Sequence, residues 1–271
     1  MATTKIGFVG GGRMAEALIK GILEAKLFAP GDVLVFDPDG QRRDHLAALY
    51  KVSVCQSNCE VAVASSNLVL AVKPQVMAAV LEDLAGCVNE NHLLISIAAG
   101  LPLVLFEERL HANHCRVIRV MPNTPALVQA GAAAISPGAG ATSEDISFAC
   151  RLFEKVGKAV VLEEKYLDAV TGLSGSGPAY VFSFIEALVD AGVKVGLNRQ
   201  VAEELVLQTV YGSVLLAMQS NQHPAVLRAM VTSPGGTTIA GLHQLARGGF
   251  SGLVMDAVEA ATRRSEELGR S

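Results

Sequence analysis

The sequence predicts two fold classes in series, a doubly wound parallel α/β sheet over residues 1–164 and an all-helical domain over residues 165–271. Three observations predict this. Short β-branched and leucine runs alternate with helical patterns through the first half, as strand–helix–strand units require. The first run breaks into glycines and then becomes a helix. From Lys165 onward no strand pattern recurs, only long helical stretches punctuated by Gly and Pro.

The first strand is Lys5-Ile6-Gly7-Phe8-Val9, followed at once by Gly10-Gly11-Gly12-Arg13-Met14-Ala15 and the helical spacing Met14, Leu18, Ile22. Gly10 permits the tight turn out of the strand. Gly12 leaves no side chain where a pyrophosphate approaches the backbone, and Ala15 lets the helix pack close to the sheet. A diphosphate there meets the N–H groups and the positive dipole end of the helix. The unit is therefore Rossmann-like and dinucleotide-binding.

Val33–Phe36 reads as the second strand. Asp37 follows it where a carboxylate binds the adenosine ribose hydroxyls of NAD. Arg42 and Arg43, just beyond, are placed to meet a 2′-phosphate instead. The alternative is a turn followed by a solvated helix face. Ser57-Asn58-Cys59-Glu60 has capping-box spacing, and Pro74 opens a helix after the strand Leu68–Ala71. Leu93–Ser96 and Val117–Val120 are further buried strands, and their near-continuous apolar runs imply parallel pairing covered on both faces. Ala132–Ser136 and Ala159–Leu162 extend the sheet, with a helix over about 143–156 between them.

Ala71-Val72-Lys73-Pro74, Ala98-Ala99-Gly100 and Met121-Pro122-Asn123-Thr124-Pro125 all leave strands at the carboxyl end, where open α/β sheets bind ligands. Small residues let a cofactor lie close, and Asn123 suits the carboxamide of a nicotinamide. An asparagine in a Pro-bounded turn is otherwise structural.

In the helical half, Tyr180, Phe182, Phe184, Leu188 and the run Val201–Met218 supply more apolar surface than a small bundle covers, which points to dimerisation. Gly172–Tyr180 sets small residues before a helix with Pro in its first position, leaving free amides ahead of it; its other reading is a close helix crossing. Thr232-Ser233-Pro234-Gly235-Gly236-Thr237-Thr238 is a second Gly-rich turn before a helix. The amides of Gly236 and Thr237 suit a carboxylate, with the hydroxyls of Ser233, Thr237 and Thr238 as further donors. Threonine N-capping is the alternative.

Composition excludes several classes. At 271 residues and 51% hydrophobic the chain is globular and long enough for two domains. A net charge of −4 and no basic stripe give no footprint for nucleic acid. The five cysteines are scattered and read as reduced thiols rather than a zinc site. The first strand starts too early for a leader peptide, and no apolar run approaches the roughly twenty residues of a membrane span, so a cytoplasmic setting is expected. His45, His92, His111, His114, His223 and His243 take structural or solvated roles, and no metal set emerges.

On Gly172–Tyr180 together with Val231–Thr238, and through Gly10–Gly12, Ala71–Pro74 and Met121–Pro125, the chain resembles the pyrroline-5-carboxylate reductase family. The resemblance implies reduction of L-1-pyrroline-5-carboxylate to L-proline, the last step of proline synthesis, with hydride from NADPH, NADH being possible. It implies that Val9, Gly10, Gly11, Gly12, Arg13 and Met14 wrap the diphosphate and that Asn58 approaches the adenosine. Asp37 would repel a 2′-phosphate if it pointed that way. Thr238 is then the donor to the ring nitrogen, while Ser233, Gly236 and Thr237 hold the substrate carboxylate. Ser174, Gly175, Ser176, Val231 and Gly235 complete the substrate motifs. Met230 stands where some relatives carry a polar residue. The substrate turn is expected to face the nucleotide domain of a partner subunit, with larger rings of dimers also formed.

Two rivals remain at this stage. A β-hydroxyacid dehydrogenase shares the glycines at Gly172, Gly175 and Gly177, but Val181 and Ile185 stand where it needs lysine and asparagine. A nucleotide sensor without turnover would keep the fold but would not need the Ser233–Thr238 turn.

Overall fold

A computed structural model describes residues 5–110 and 114–269. The chain forms two compact units, residues 1–176 with 260–271, and residues 177–259.

The first unit is a sheet wrapped by helices. In chain order it holds β1 (Ile6–Val9), α1 (Arg13–Glu24), β2 (Val33–Phe36), α2 (Gly40–Tyr50), β3 (Ser53–Val54), α3 (Asn58–Ala64) and β4 (Asn67–Leu70). Then come α4 (Met77–Leu84), β5 (Leu93–Ser96), α5 (Leu103–Leu110), β6 (Arg116–Met121), β7 (Gly131–Pro137), α6 (Ser143–Phe153), β8 (Gly157–Val161) and α7 (Leu167–Val170). The strand order is β3-β2-β1-β4-β5-β6-β7-β8. Because β1 has β2 on one side and β4 on the other, the winding reverses beside it, and ligands of open α/β sheets bind at that reversal.

Every neighbouring pair is parallel except β6 and β7, which departs from the parallel continuation expected. Between Met121 and Gly131 the chain makes only one 3-10 turn, Thr124–Val128, and so few residues carry no crossover back to the starting edge. The two-residue β3 was also not expected.

Alternate side chains of the strands fill two cores. On one face Phe8, Val33 and Val35 pack with Leu18, Ile19 and Ile22 of α1 and Phe153 of α6. On the other, Leu34, Leu68 and Leu70 pack with Met77 and Leu81 of α4 and Phe106 of α5. Each large side chain so buried contributes roughly 1.5–3 kcal/mol, and this double cover is why the strand runs are continuously apolar.

Two local expectations are revised. Ser57 Oγ does accept the Glu60 N–H at 3.1 Å, but the Glu60 carboxylate takes the N–H of Gln56, one residue before the box would close. The reciprocal box forms instead at Thr142 and Asp145, at the start of α6. Cys59 and Cys87 are disulfide-bonded with Cα atoms 5.5 Å apart, so the expectation of all-reduced thiols fails for this pair. They are 28 residues apart in sequence, and only the packing of α3 beside α4 brings them together.

The expected boundary at 164/165 differs from the division into units. Residues 165–176 and 260–271 belong with the sheet. Leu167 is fully buried, and Ser265 Oγ donates to Asp168 Oδ1 at 2.6 Å. The second unit contains α8 (Gly177–Lys194), α9 (Arg199–Ser220), α10 (Pro224–Met230), α11 (Thr237–Arg247) and α12 (Phe250–Gly269) as far as Glu259. Helices α8 and α9 cross closely at Gly192, where a Cβ would lie 2.9 Å from Ala202 Cβ. Outside that seam the helices stay apolar on their exposed faces, with Phe182 64% and Leu207 55% exposed. The sequence expectation about apolar runs is also revised: α9, at 22 residues, is long and apolar enough by length and composition to cross a membrane.

Candidate functional site

The glycine turn after β1 is shaped from its backbone. Gly10 has φ +94°, and a Cβ there would lie 2.8 Å from the Ala71 carbonyl oxygen, so only glycine fits. A Cβ on Gly12 would meet nothing within 4 Å. Gly12 is the N-cap of α1 and brings no side-chain acceptor. The first amides of α1, at Arg13 and Met14, therefore open onto space that a diphosphate can fill. The residues present fit a dinucleotide on this observation.

The other predicted cofactor residues gather along the same carboxyl edge. Asp37 follows β2, with Oδ2 accepting the Gly11 N–H at 2.7 Å and Oδ1 the Asp39 N–H at 2.9 Å. Ala71, Val72, Lys73 and Pro74 follow β4, and the Ala71 N–H bonds the Val9 carbonyl at 2.8 Å. Ala98, buried, and Ala99 follow β5. Asn58 opens α3, its Nδ2 donating to Asp83 Oδ2 at 3.1 Å. Asn123, after β6, uses its amide differently from the nicotinamide contact expected: Nδ2 donates to the Ser174 carbonyl at 3.0 Å and Oδ1 accepts the Ala132 N–H at 2.8 Å.

The two arginines after Asp37 are engaged. Arg42 bonds the Gly11 carbonyl through Nε and forms an ion pair with Glu16. Arg43 Nη1 donates to the Asp37 carbonyl at 2.6 Å, and its guanidinium lies 5.6 Å from the Phe36 ring centroid. Glu16 also receives Tyr50 Oη and faces His45, each at 3.1 Å. Burial would raise the Glu16 carboxyl, but the bonds from Arg42, His45 and Tyr50 outweigh it and hold the group below its ordinary range. Burial and the neighbouring Glu16 push Tyr50 up to about 12.

Ser174, Gly175 and Ser176 lie in the first unit, close to Asn123. The free amides expected before α8 are not all present. Thr171–Gly175 forms a π-helical turn in which the Ser176 N–H bonds the Thr171 carbonyl at 2.8 Å. Such single turns recur at functional sites. A Cβ on Gly175 would lie 2.5 Å from Met121 Cε, so this glycine marks a close approach.

Sequence reasoning missed the Arg119–Glu164 ion pair, 3.0 Å long with Arg119 buried, in which Glu164 also accepts the Leu103 N–H at 2.6 Å. Its signal was a lone arginine inside the apolar run Val117-Ile118-Arg119-Val120. The pair fastens the segment before α7 to the sheet.

The second Gly-rich turn lies wholly in the second unit. Val231 is the C-cap that follows α10 and is exposed, as is the neighbouring Met230. Gly235 has φ +67°, and the Gly236 N–H is taken by the Ser233 carbonyl at 3.1 Å. That bond removes Gly236 from the expected carboxylate donors. The N-cap of α11 is Gly236 itself, without a side-chain cap, so the threonine-capping alternative does not hold. Thr237 and Thr238 are the first two residues of α11, where amides lack intrahelical partners. Beside the turn lies an apolar groove of about 1030 Å³ lined by Thr232, Gly236, Ile239, His243 and Phe250 among others.

Histidines take structural places. His92 is buried between Asn89 and the Ala62 carbonyl, and His223 caps α10 by accepting the Ala225 N–H at 3.2 Å. His111 lies outside the described residues. Among the described residues no group of three metal-binding side chains occurs. Burial pushes the thiols of Cys55, Cys115 and Cys150 up, which disfavours reactive thiolates.

With this geometry in place, comparison with known proteins is specific. A family model described as pyrroline-5-carboxylate reductase dimerisation matches residues 164–268, and one described as NADP oxidoreductase, coenzyme F420-dependent, matches residues 5–100. The chain is 47% identical over 266 residues to the pyrroline-5-carboxylate reductase of Synechocystis sp. (strain ATCC 27184 / PCC 6803 / Kazusa), covering 98% of each. Its identity to the Arabidopsis thaliana enzyme of the same name is 43% over 267 residues, covering 98% of this chain and 96% of the relative.

Solved structures agree. The Plasmodium falciparum pyrroline carboxylate reductase with NADP bound superposes at a TM-score of 0.89, with 36% identity and 99% of each chain covered. The pyrroline-5-carboxylate reductase of Coxiella burnetii does so at 0.93, with 34% identity and 99% and 100% covered. The dimerisation match accounts for the exposed apolar helices: this region self-associates. A nicotinamide-nucleotide edge after β1, two Gly-rich helix starts and full-length identity converge, and the chain belongs to the pyrroline-5-carboxylate reductases.

Proposed function

We propose that the turn Val231–Thr238 holds the substrate, and that Thr238 hydrogen-bonds its ring nitrogen, in the reaction of this family, reduction of L-1-pyrroline-5-carboxylate to L-proline with NAD(P)H. The observation that carries this reading is the uncapped start of α11, where two consecutive threonines supply hydroxyls beside two open amides.

The substrate carboxylate meets the Thr237 and Thr238 N–H groups at the positive end of α11, with the Ser233 hydroxyl as a further donor. That fixes the five-membered ring with its nitrogen toward the Thr238 hydroxyl. A cyclic imine takes a proton readily near neutral pH, so a hydroxyl suffices where a stronger acid would be needed for a carbonyl. Ser174, Gly175 and Ser176 line the substrate side of the nucleotide edge. The nicotinamide nucleotide, when bound, supplies the hydride. Held by the glycine turn, Asp37, Ala71–Pro74 and Ala98–Ala99, it is kept in one orientation, which is the protein's main contribution to rate. Self-association as a dimer, and as rings of dimers, brings the substrate turn of one subunit to the nucleotide edge of another.

The test is oxidation of NADPH and of NADH with pyrroline-5-carboxylate by wild type, Thr238→Ala and Thr238→Ser. Thr238→Ala is expected to lose about 10²-fold in kcat/KM, the usual size of a positioned proton donor. Thr238→Ser, which keeps the hydroxyl, retains most of the activity. Equal rates for wild type and Thr238→Ala would remove this hydroxyl from the mechanism. Absence of turnover in wild type would favour a nucleotide sensor.

A further inference from the structure

We infer that Ser265, near the end of α12, is a positioning residue for hydride transfer: it seats the last turn of that helix on the loop Ala98–Gly100. This rests on the reading above in which Ala98–Ala99 meet the nicotinamide nucleotide, and adds to it what holds that loop in place.

The loop leaves the carboxyl end of β5, runs on to Leu103 at the start of α5, and is fixed at three points. At its start the Ser96 hydroxyl accepts the Ala98 N–H at 3.4 Å. In its middle Gly100 turns with φ +77°, and there its backbone meets α12. A Cβ on Gly100 would lie 3.6 Å from Leu268 Cβ and 3.8 Å from the Ser265 carbonyl oxygen. On the helix side, a Cβ on Gly269 would lie 2.6 Å from the Gly100 carbonyl oxygen, so the two glycines let the backbones come together. At the far end the Leu103 N–H is held by Glu164 Oε1 at 2.6 Å.

The holds at Gly100 and Leu103 trace back to one short segment. Glu164 and Asp168, four residues apart, lie in the 3-10 turn Glu164–Tyr166 and in α7. Glu164 is anchored to β6 by its ion pair with the buried Arg119. Asp168 Oδ1 accepts from Ser265 Oγ at 2.6 Å, and Ser265 is only 4% exposed. A hydroxyl bonded to a carboxylate out of water makes a strong tie, and α12 cannot slide or turn over Gly100 without breaking it. The segment thus grips the loop directly at Leu103 and, through Ser265, at Gly100. Without the Ser265 bond the helix end is released, and Gly100 can shift together with Ala99 before it. A displacement near 1 Å in what bears on the nicotinamide is enough to slow hydride transfer.

The test is single-turnover kinetics on the full-length enzyme, with active sites in excess over NADPH and pyrroline-5-carboxylate saturating. The first-order constant so measured reports hydride transfer and does not depend on how much of a variant is folded. Ser265→Ala and Asp168→Ala are each expected to lower it by about tenfold. The double variant should fall no further, since both changes remove the same bond. Asp168→Asn, which keeps an acceptor oxygen, restores most of the rate. A wild-type constant in Ser265→Ala, or losses that multiply in the double variant, would overturn the inference. Fluorescence titration of Ala99→Leu with NADPH checks the underlying reading separately. Binding weaker than wild type keeps the loop at the nucleotide, whereas unchanged binding would remove the loop from the site and the inference with it.

Discussion

One side-chain amide, that of Asn123, joins the sheet to the π-helical turn: its Nδ2 holds the Ser174 carbonyl at 3.0 Å while its Oδ1 holds the Ala132 N–H at 2.8 Å. The first bond sets the backbone of the Gly-rich stretch before α8. The second sets the start of the only antiparallel strand pairing described, and both depend on the side chain leaving the carboxyl end of β6.

Replacing Asn123 should therefore act through position. Asn123→Ala loses both bonds and is expected to destabilise the protein by about 1–3 kcal/mol. Activity should fall more than stability accounts for, roughly 10- to 100-fold in kcat/KM, since a misplacement near 1 Å has that effect. Asn123→Asp keeps the acceptor and loses the donor. Its melting temperature should lie between those of Asn123→Ala and wild type, as differential scanning calorimetry would measure. Wild-type kinetics in Asn123→Ala would show that the Ser174 backbone is held without this amide.

The Cys59–Cys87 bridge gives a direct count. Of five cysteines, Cys55, Cys115 and Cys150 are free. Denatured protein prepared without reductant should titrate three thiols with an aromatic disulfide reagent, and five after reduction. Breaking the bridge is expected to lower the unfolding free energy by about 2–4 kcal/mol, since it closes a loop with a sequence separation of 28 residues. Five thiols before reduction would mean that the pair is not bonded in solution.

Self-association should depend on the outward apolar face of α9. Leu207 and Val214, seven positions apart and so on one side of the helix, are 55% and 53% exposed. Placing lysine at both buries charge in any interface that covers this face, which is strongly unfavourable. Wild type should scatter light as at least twice 28.3 kDa, and the double variant should fall toward a single chain mass. An unchanged mass in the double variant would place the interface elsewhere on the helices.

Legibility in the sequence followed the range of the physics. Gly10 was readable because the turn needs φ +94°, a local constraint, while the Ala71 carbonyl, 2.8 Å from where a Cβ would lie, adds a tertiary one. The strands were readable because burial on both faces demands unbroken apolar runs. The reversal at β7 was not, because pairing direction is a property of the connection and of the edge it meets. The capping glutamate at position 60 has the right spacing, yet its carboxylate bonds the N–H of Gln56, since backbone geometry rather than spacing decides between adjacent amides. Arg42 and Arg43 read as phosphate ligands until the fold set Glu16 and the turn carbonyls within their reach.

By itself, then, the sequence determined the sheet-then-helix order, the glycine turn after β1 and the two later Gly-rich turns, because each is a matter of backbone freedom, helix termini and apolar periodicity within a few residues. The tertiary structure decided which partners those groups take: Asp37 with Gly11, Asn123 with Ser174, Cys59 with Cys87, and Ser265 with Asp168 across 97 positions. The reason is one of distance. Side-chain hydrogen bonds, ion pairs and disulfides form only within a few ångströms, and residues far apart in sequence come that close only when the whole core has packed.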